Sequence, residues 1–230
     1  MRRRSRQKKL LDLCCMAGGT SMGYHMAGFQ VTGVDIDRQP NFPFEFMRDD
    51  ITQITDKQAI TIRRNFDAVA ASPPCKGYGV IKTLSSPHHP KLIPYVRELF
   101  EFIDLPYIIE NVVGAPLSAP VQVCGSGLGL RVQRHRLFES NCDLIGVRCN
   151  HRWQDRDLRY LQIPNGRGSE RMRGIVYVYG RGDGSHFRNY SQRAIWSHAM
   201  GIDWMSIDEL SQAIPPLYTY HLGQQLMEYV

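Results

Sequence analysis

"LLDLCCMAGGTSMG", residues Leu10–Gly23, is the stretch that decides how this chain folds. The apolar run from Lys9 to Cys15 reads as a strand, Gly18 and Gly19 make a turn, and Met22, Met26 and Phe29 then recur at helical spacing. Strand, glycine turn, helix is the opening unit of an α/β sheet. "VTGVDID" (Val31–Asp37) and "NFDAVAAS" (Asn65–Ser72) predict further strands, "LIPYVRELFEFI" (Leu92–Ile103) a helix, and "LPYIIENV" (Leu105–Val112) another strand. Strands that alternate with helices predict a mostly parallel sheet with helices on both faces. Ligands of such sheets sit beyond the carboxyl ends of the strands, and the glycine turn, Asp35, "SPPC" and "EN" all fall there.

After Phe138 the alternation weakens. The stretch from Cys149 to Tyr190 is rich in Arg and Gly around one apolar strand, "IVYVY", and reads as an inserted recognition region; helical patterns return in "SQRAIWSHAMGI" and "PPLYTYHLGQQLMEYV". This divides the chain into a core (1–148), a small recognition region (149–190) and a C-terminal helical segment returning to the core (191–230).

A chain of 230 residues with 43% hydrophobic side chains has enough material for one domain with a small appendage. It contains no apolar run of membrane-spanning length, and "MRRRSRQKK" leads into "LLDL" without a signal-peptide pattern, so a cytoplasmic protein without a membrane partner is expected. The six cysteines follow no disulfide framework and read as reduced thiols. Cys142, Cys149 and His151 are close in sequence, but there is no CxxC pair and no clear fourth ligand, so the sequence assigns no metal site. A net charge of +6 favours a polyanionic partner, and the basic N-terminal run is a solvated tail or a phosphate contact.

The glycine turn has neither GxGxxG spacing nor a P-loop lysine. Asp35 and Asp37 could accept hydrogen bonds from a ribose, and "DDI" (Asp49–Ile51) could flank an adenine; an ordinary tight turn with solvated acids is the other reading. In "ASPPCKGYG" two prolines end a strand and shape an exposed turn around Cys75. A cysteine there suits a nucleophile, whereas a free cysteine is more commonly a small buried hydrophobe.

Taken in order, "DLCCMAGG", "SPPC", "ENV", "QRHR" and "AIPPLYTYHLGQQL" resemble the cytosine-C5 DNA methyltransferase family, in particular its short phage-type members, from about Lys9 onward. The resemblance implies a Rossmann-like fold, S-adenosylmethionine as cofactor and double-stranded DNA as partner in a bacterial or phage-infected cell, with a monomer expected. It implies Cys75 as the nucleophile at cytosine C6, Glu110 on the base edge, and Arg134 and Arg136 at the base O2 and at the cysteine loop or a phosphate. By the same resemblance the cofactor is held by Asp12, Cys14, Met16, Ala17, Gly18 and Gly19, by Asp35 and Ile36, by Asp50 and Ile51, and by Pro74. Gln212 and Ala213 of "SQAIPP" return to cover it. Lys76, Lys82, His88 and Lys91, on the loop around and after the nucleophile, and Arg167, Arg171 and Arg173 in the recognition region suit DNA contacts.

The chain departs from the family at Met16, which stands where glycine is usual, at Cys14, where an aromatic is usual, at Lys76, where glutamine is usual, and at Ser211–Gln212. Lys76 beside Cys75 would favour a thiolate or bind phosphate. The same chemistry on RNA or a cytosine nucleotide, and a nonenzymatic DNA-binding protein, are the alternatives.

Overall fold

The computed structural model describes residues 6–78, 90–152, 160–161, 170–171, 175–178 and 191–230. Its main sheet has seven strands: β1 (Lys9–Leu13), β2 (Gln30–Asp35), β3 (Glu45–Arg48), β4 (Ala68–Ala71), β5 (Tyr107–Asn111), β6 (Val121–Val123) and β7 (Arg136–Ser140), in the order β3-β2-β1-β4-β5-β7-β6. The first five are parallel, and β7 runs antiparallel to both β5 and β6.

Period-two alternation assigns the faces. On one face Leu10, Val31, Ala68, Ala70 and Ile108 pack with helices α1 (Gly19–Met26) and α6 (Pro216–Leu226), through Tyr24, Tyr218, Leu222 and Leu226. On the other face Leu11, Leu13, Val69, Ala71 and Ile109 pack with α2 (Asp56–Asn65) and α3 (Ile93–Ile103), through Ala59, Val96, Leu99, Phe100 and Ile103. Since β1, β4 and β5 are buried on both sides, they read as near-continuous apolar runs. The exposed edge strand β3 does not, and its sequence, Glu-Phe-Met-Arg, gives little strand signal. Helix α2 is announced only by its capping box, with Thr55 and Gln58 capping each other's backbone N–H.

Three expectations are corrected. Met26 is exposed, and the buried face of α1 is instead Thr20, Gly23 and Tyr24, because α6 approaches where side chains are small. A Cβ on Gly23 would lie 2.0 Å from Thr219 Oγ1 and 2.1 Å from the Pro216 carbonyl oxygen. In "QRHR", where the alternation of Arg134 and Arg136 predicts a strand with both side chains on one face, β7 begins only at Arg136, so Arg134 lies in the loop before it. The described part of "IVYVY", residues 175–178, forms no strand. Val176 donates its N–H to Arg131 O (2.8 Å), and Val176 and Val178 join a second core with Val132, Ala17 and the C-terminal helices α4 (Gln192–Met200) and α5 (Ile207–Gln212). Strands β8 (Tyr160–Leu161) and β9 (Glu170–Arg171) form a separate antiparallel pair.

Candidate active site

The cysteine turn begins where β4 ends. Ser72 N–H donates to Leu13 O (3.1 Å), and the buried Asn111 side chain at the end of β5 donates to Pro73 O (2.9 Å). This amide clamp fixes the first proline, leaving Pro74, Cys75 and Lys76 exposed beyond it. Tyr78 N–H closes the turn on Cys75 O (2.9 Å), and the Tyr78 hydroxyl accepts from Ile93 N–H, tying the turn to α3. Unlike Cys15 and Cys124, which are buried, Cys75 is open to an incoming molecule.

Glu110 alternates with Ile109 on β5, which places its carboxylate on the α1/α6 face with Asp12 and Ser72. It is buried and pairs with Arg136, Nε to Oε1 at 3.1 Å. Burial pushes the Glu110 carboxyl above its ordinary range, opposed in turn by Arg136, Arg134 and a hydrogen bond with Ser72. The carboxyl group thus sits buried beside a fixed cation.

Arg134 is held from the C-terminal side. Its guanidinium donates to Val178 O (3.1 Å) and Ser211 O (2.5 Å), and its carbonyl accepts from the Tyr218 hydroxyl (2.6 Å). It therefore ties the loop before β7 to the C-terminal segment. Desolvation pushes its pKa down to about 10, with Arg136 adding to the fall and Tyr218, Glu110 and Cys75 opposing it.

The glycine turn curls through three left-handed positions, Cys14 (φ 54°), Met16 (φ 47°) and Gly18 (φ 83°). Met16 thus adopts backbone geometry that favours glycine, which is the physical meaning of the departure at this position. Asp35 holds the turn, accepting from Met16 N–H (2.9 Å) and Asp37 N–H (3.0 Å), and Ile36 beside it is 57% exposed. Asp50 caps Thr52 N–H (2.9 Å), and the buried Ile51 lends its carbonyl to the Tyr95 hydroxyl (2.8 Å).

Asp12 is fully buried. Its Oδ2 accepts from Thr20 (2.9 Å) and Ser21 (2.6 Å), while Oδ1 has no partner, and burial outweighs those hydrogen bonds to push its pKa up to about 6.

The C-terminal segment does return to this turn. A Cβ on Gly19 would lie 2.4 Å from Ile214 O, next to the buried Ala213; Gln212 is exposed. Three contributors escaped the sequence reading. Trp204 donates its indole N–H to Ala17 O (2.8 Å), Phe42 lies against Gly18 and Gly33, and Asn111 clamps Pro73. Trp204 and Phe42 have no motif of their own and are found only through their spatial neighbours; Asn111 sits inside "ENV" and was overshadowed by the glutamate.

Of the basic residues expected to meet DNA, Lys76 and Lys91 are exposed. Arg171 belongs to β9, and Lys82, His88, Arg167 and Arg173 lie outside the described residues. Of the soft side chains that stand close in sequence, not all meet in space. Cys142 stands apart, bonded to Asn141, but Cys149 and His151 meet Cys124 and His135, two ligands too distant in sequence to be noticed from spacing.

With this geometry in place, the comparisons are specific. Residues 8–114 match the family model of the C-5 cytosine-specific DNA methylase. This part of the chain is similar to that family. Among curated relatives, the type II methyltransferase M.AquIA of Picosynechococcus is 28% identical over 124 residues, covering 47% of this chain and 50% of that protein. M.XorII of Xanthomonas oryzae is 30% identical over 118 residues, covering 45% of this chain and 28% of that protein. The chain therefore spans half or less of the relatives it matches. The Entamoeba histolytica methyltransferase EhMeth shares the fold over 97% of this chain and 99% of its own, at 13% identity and a TM-score of 0.63. The methylase match covers the glycine turn, the cysteine turn and "ENV"; "QRHR" and the C-terminal return lie beyond it and are joined to it only in three dimensions.

Proposed function

We propose that this protein transfers a methyl group from S-adenosylmethionine to carbon 5 of cytosine in double-stranded DNA, through a covalent bond between Cys75 and carbon 6 of a base turned out of the helix. The observation that carries the proposal is the exposed Cys75 on its Asn111-clamped proline turn, at the strand end adjacent to the buried Glu110–Arg136 pair. Carbon 5 of cytosine is a poor nucleophile. Thiolate addition at carbon 6 turns it into an enamine carbon, and a cysteine thiolate can do this near neutral pH.

Glu110, held by Arg136, binds the N3 and amine edge and shares a proton with the base as charge builds there. The raised pKa of its carboxyl suits that exchange. Arg136 lies beside the same edge and balances the charge on the ring and its O2. Arg134 acts as a positioning residue, since its guanidinium is bonded to backbone carbonyls. After alkylation a base, solvent water included, takes the carbon-5 proton, and that electron pair re-forms the 5,6 double bond as the carbon–sulfur bond breaks and Cys75 leaves as thiolate. Since the target carbon is stacked in duplex DNA, the base must leave the helix to meet Cys75.

The chain's own residues fit the cofactor. The unpartnered Asp12 Oδ1 marks a buried negative site at the turn, Asp35 retains acceptor capacity for ribose hydroxyls, and the exposed Ile36 offers an apolar face to an adenine. When bound, S-adenosylmethionine supplies an electrophilic methyl on its sulfonium. A self-protecting or restriction-linked role in the cytoplasm, with the recognition region 149–190 choosing a short DNA target, completes the reading.

The test is a duplex carrying 5-fluorocytosine, in which the final elimination is blocked. A stable adduct mapped to Cys75, dependent on S-adenosylmethionine and absent in Cys75→Ser, is expected. Wild-type methylation by Cys75→Ser would refute the mechanism, and transfer to RNA or dCMP in preference to duplex DNA would refute the substrate.

A further inference from the structure

Away from the cysteine turn, four soft ligands converge. Cys124 directly follows β6, His135 lies between Arg134 and Arg136, and Cys149 and His151 flank Asn150 in the segment after β7. Their ligand atoms all lie within 4.8 Å of one another. The sulfur-to-nitrogen separations are 3.4 Å for Cys124 Sγ to His151 Nε2 and 3.2 Å for His135 Nε2 to Cys149 Sγ, and the two imidazole rings stand 5.2 Å apart between centroids.

Those spacings match the edges of a metal tetrahedron. With zinc–sulfur bonds of about 2.3 Å and zinc–nitrogen bonds of about 2.0–2.1 Å, neighbouring sulfur and nitrogen ligands lie about 3.6 Å apart. Two thiols and two imidazoles gathered this tightly gain little from one another as hydrogen-bond partners, because a thiol is a weak donor and a weak acceptor. As ligands they form the Cys2His2 set of structural zinc sites. Two thiolates also neutralise the charge of a divalent ion.

Surrounding groups hold the ligands in place, as outer-shell partners of metal sites do. Ser126 Oγ lies 3.1 Å from Cys124 Sγ and accepts from Asn150 N–H (2.9 Å), which fastens the Cys149–His151 segment to the turn after β6. Gln122 Nε2 donates to Cys149 Sγ (3.5 Å). Val147 N–H donates to Gln122 O (2.8 Å), and a Cβ on Gly146 would lie 2.4 Å from that same oxygen, so the loop lies flat against β6.

We propose that Cys124, His135, Cys149 and His151 bind one structural Zn2+, which pins the point where the chain leaves the catalytic sheet for residues 153–190 to the segment that carries Arg134 and Arg136. Each thiol loses its proton to solvent as the ion binds, and no redox partner is involved. The ion closes a loop from residue 124 to residue 151 and fixes the backbone on both sides of His135. It thereby sets the register of the two arginines, the one paired with Glu110 and the one bonded to Ser211 O. The inference rests on side-chain geometry and stands whether or not the methylation reading holds.

The experiment uses the full chain, expressed with zinc available, purified under reducing conditions without a strong chelator, and dialysed against metal-free buffer. Atomic emission is expected to find one zinc per chain. Replacement by Co2+ is expected to give the intense visible absorption of a four-coordinate ion with a thiolate-to-metal charge-transfer band. Cys149→Ser and His151→Gln, both at accessible positions, are expected to lose the retained metal, whereas Cys142→Ser keeps it. Wild-type protein that retains no more zinc than Cys149→Ser, a weak six-coordinate cobalt spectrum, or a Cys124–Cys149 disulfide under the same reducing conditions would overturn the proposal. Because the decisive readings are taken on the unaltered chain, a variant that fails to fold leaves the test intact.

Discussion

Gly23→Ala separates two physical effects of opposite sign in one methyl group. Gly23 lies inside α1, where alanine favours helix by about 1 kcal/mol over glycine. An isolated helix would gain from the change. In the folded chain, however, the new Cβ would stand 2.0 Å from Thr219 Oγ1, 2.1 Å from Pro216 O and 2.7 Å from Tyr220 N. Two of these three atoms are backbone, so no rotamer change removes the overlap, and α6 must retreat from α1 by about the distance that restores van der Waals contact. Overpacking of this kind costs about 1–3 kcal/mol, and occasionally more. The rigid backbone on the α6 side places it at the upper end. The net effect is a loss of about 2 kcal/mol, or roughly 4–8 °C in Tm for a chain of this size.

The measurements are urea unfolding followed by far-UV circular dichroism, and calorimetric titration with S-adenosylmethionine, since α1 carries the glycine turn at its N-terminus and the segment leading into the displaced α6 packs on Gly19. Both stability and cofactor affinity should fall. The double variant Gly23→Ala/Thr219→Ala should recover little, because Pro216 O remains in place. Unchanged or increased stability in Gly23→Ala would refute the close-packing argument, and full recovery in the double variant would show that only the threonine side chain was in the way.

Met16→Gly should stabilise the chain by roughly 0.5–1 kcal/mol, the left-handed strain relieved at φ 47° less the greater freedom of glycine in the unfolded state; a shifted urea midpoint reads it. Glu110→Gln keeps an oxygen for Arg136 but loses the titrating proton, so methyl transfer to duplex DNA should drop at least about 10²-fold with native circular dichroism retained, as single-turnover kinetics would report. Asp12, raised from 3.8 to about 6 by burial, favours folding while protonated; its contribution of about 3 kcal/mol is complete below pH 4 and is lost as pH rises through 6. Comparing unfolding free energies of wild type and Asp12→Asn across that window should show this slope only in wild type.

The sequence by itself determined the parallel sheet, because β1, β2, β4 and β5 are buried and their apolar runs are punctuated by glycine, acids and proline at their ends. It also marked Cys75 and Glu110, whose residue types sit in local patterns short enough to read along one chain. Tertiary structure decided what depends on contacts between distant segments. The exposed edge strand β3 has little apolar pattern to read. The inner face of α1 is set by α6, about 200 residues away, through glycine and threonine rather than through the methionines that dominate the helical spacing. The resemblance places Arg134 of "QRHR" near the base or the cysteine loop, and only the fold shows that two carbonyls from the C-terminal half, of Val178 and Ser211, hold its guanidinium. Of the Cys124, His135, Cys149 and His151 cluster, only Cys149 and His151 stand close enough in sequence to be noticed. A one-dimensional spacing rule sees ligands on one turn or knuckle, whereas here three segments, after β6, just before β7 and after β7, close on the same point.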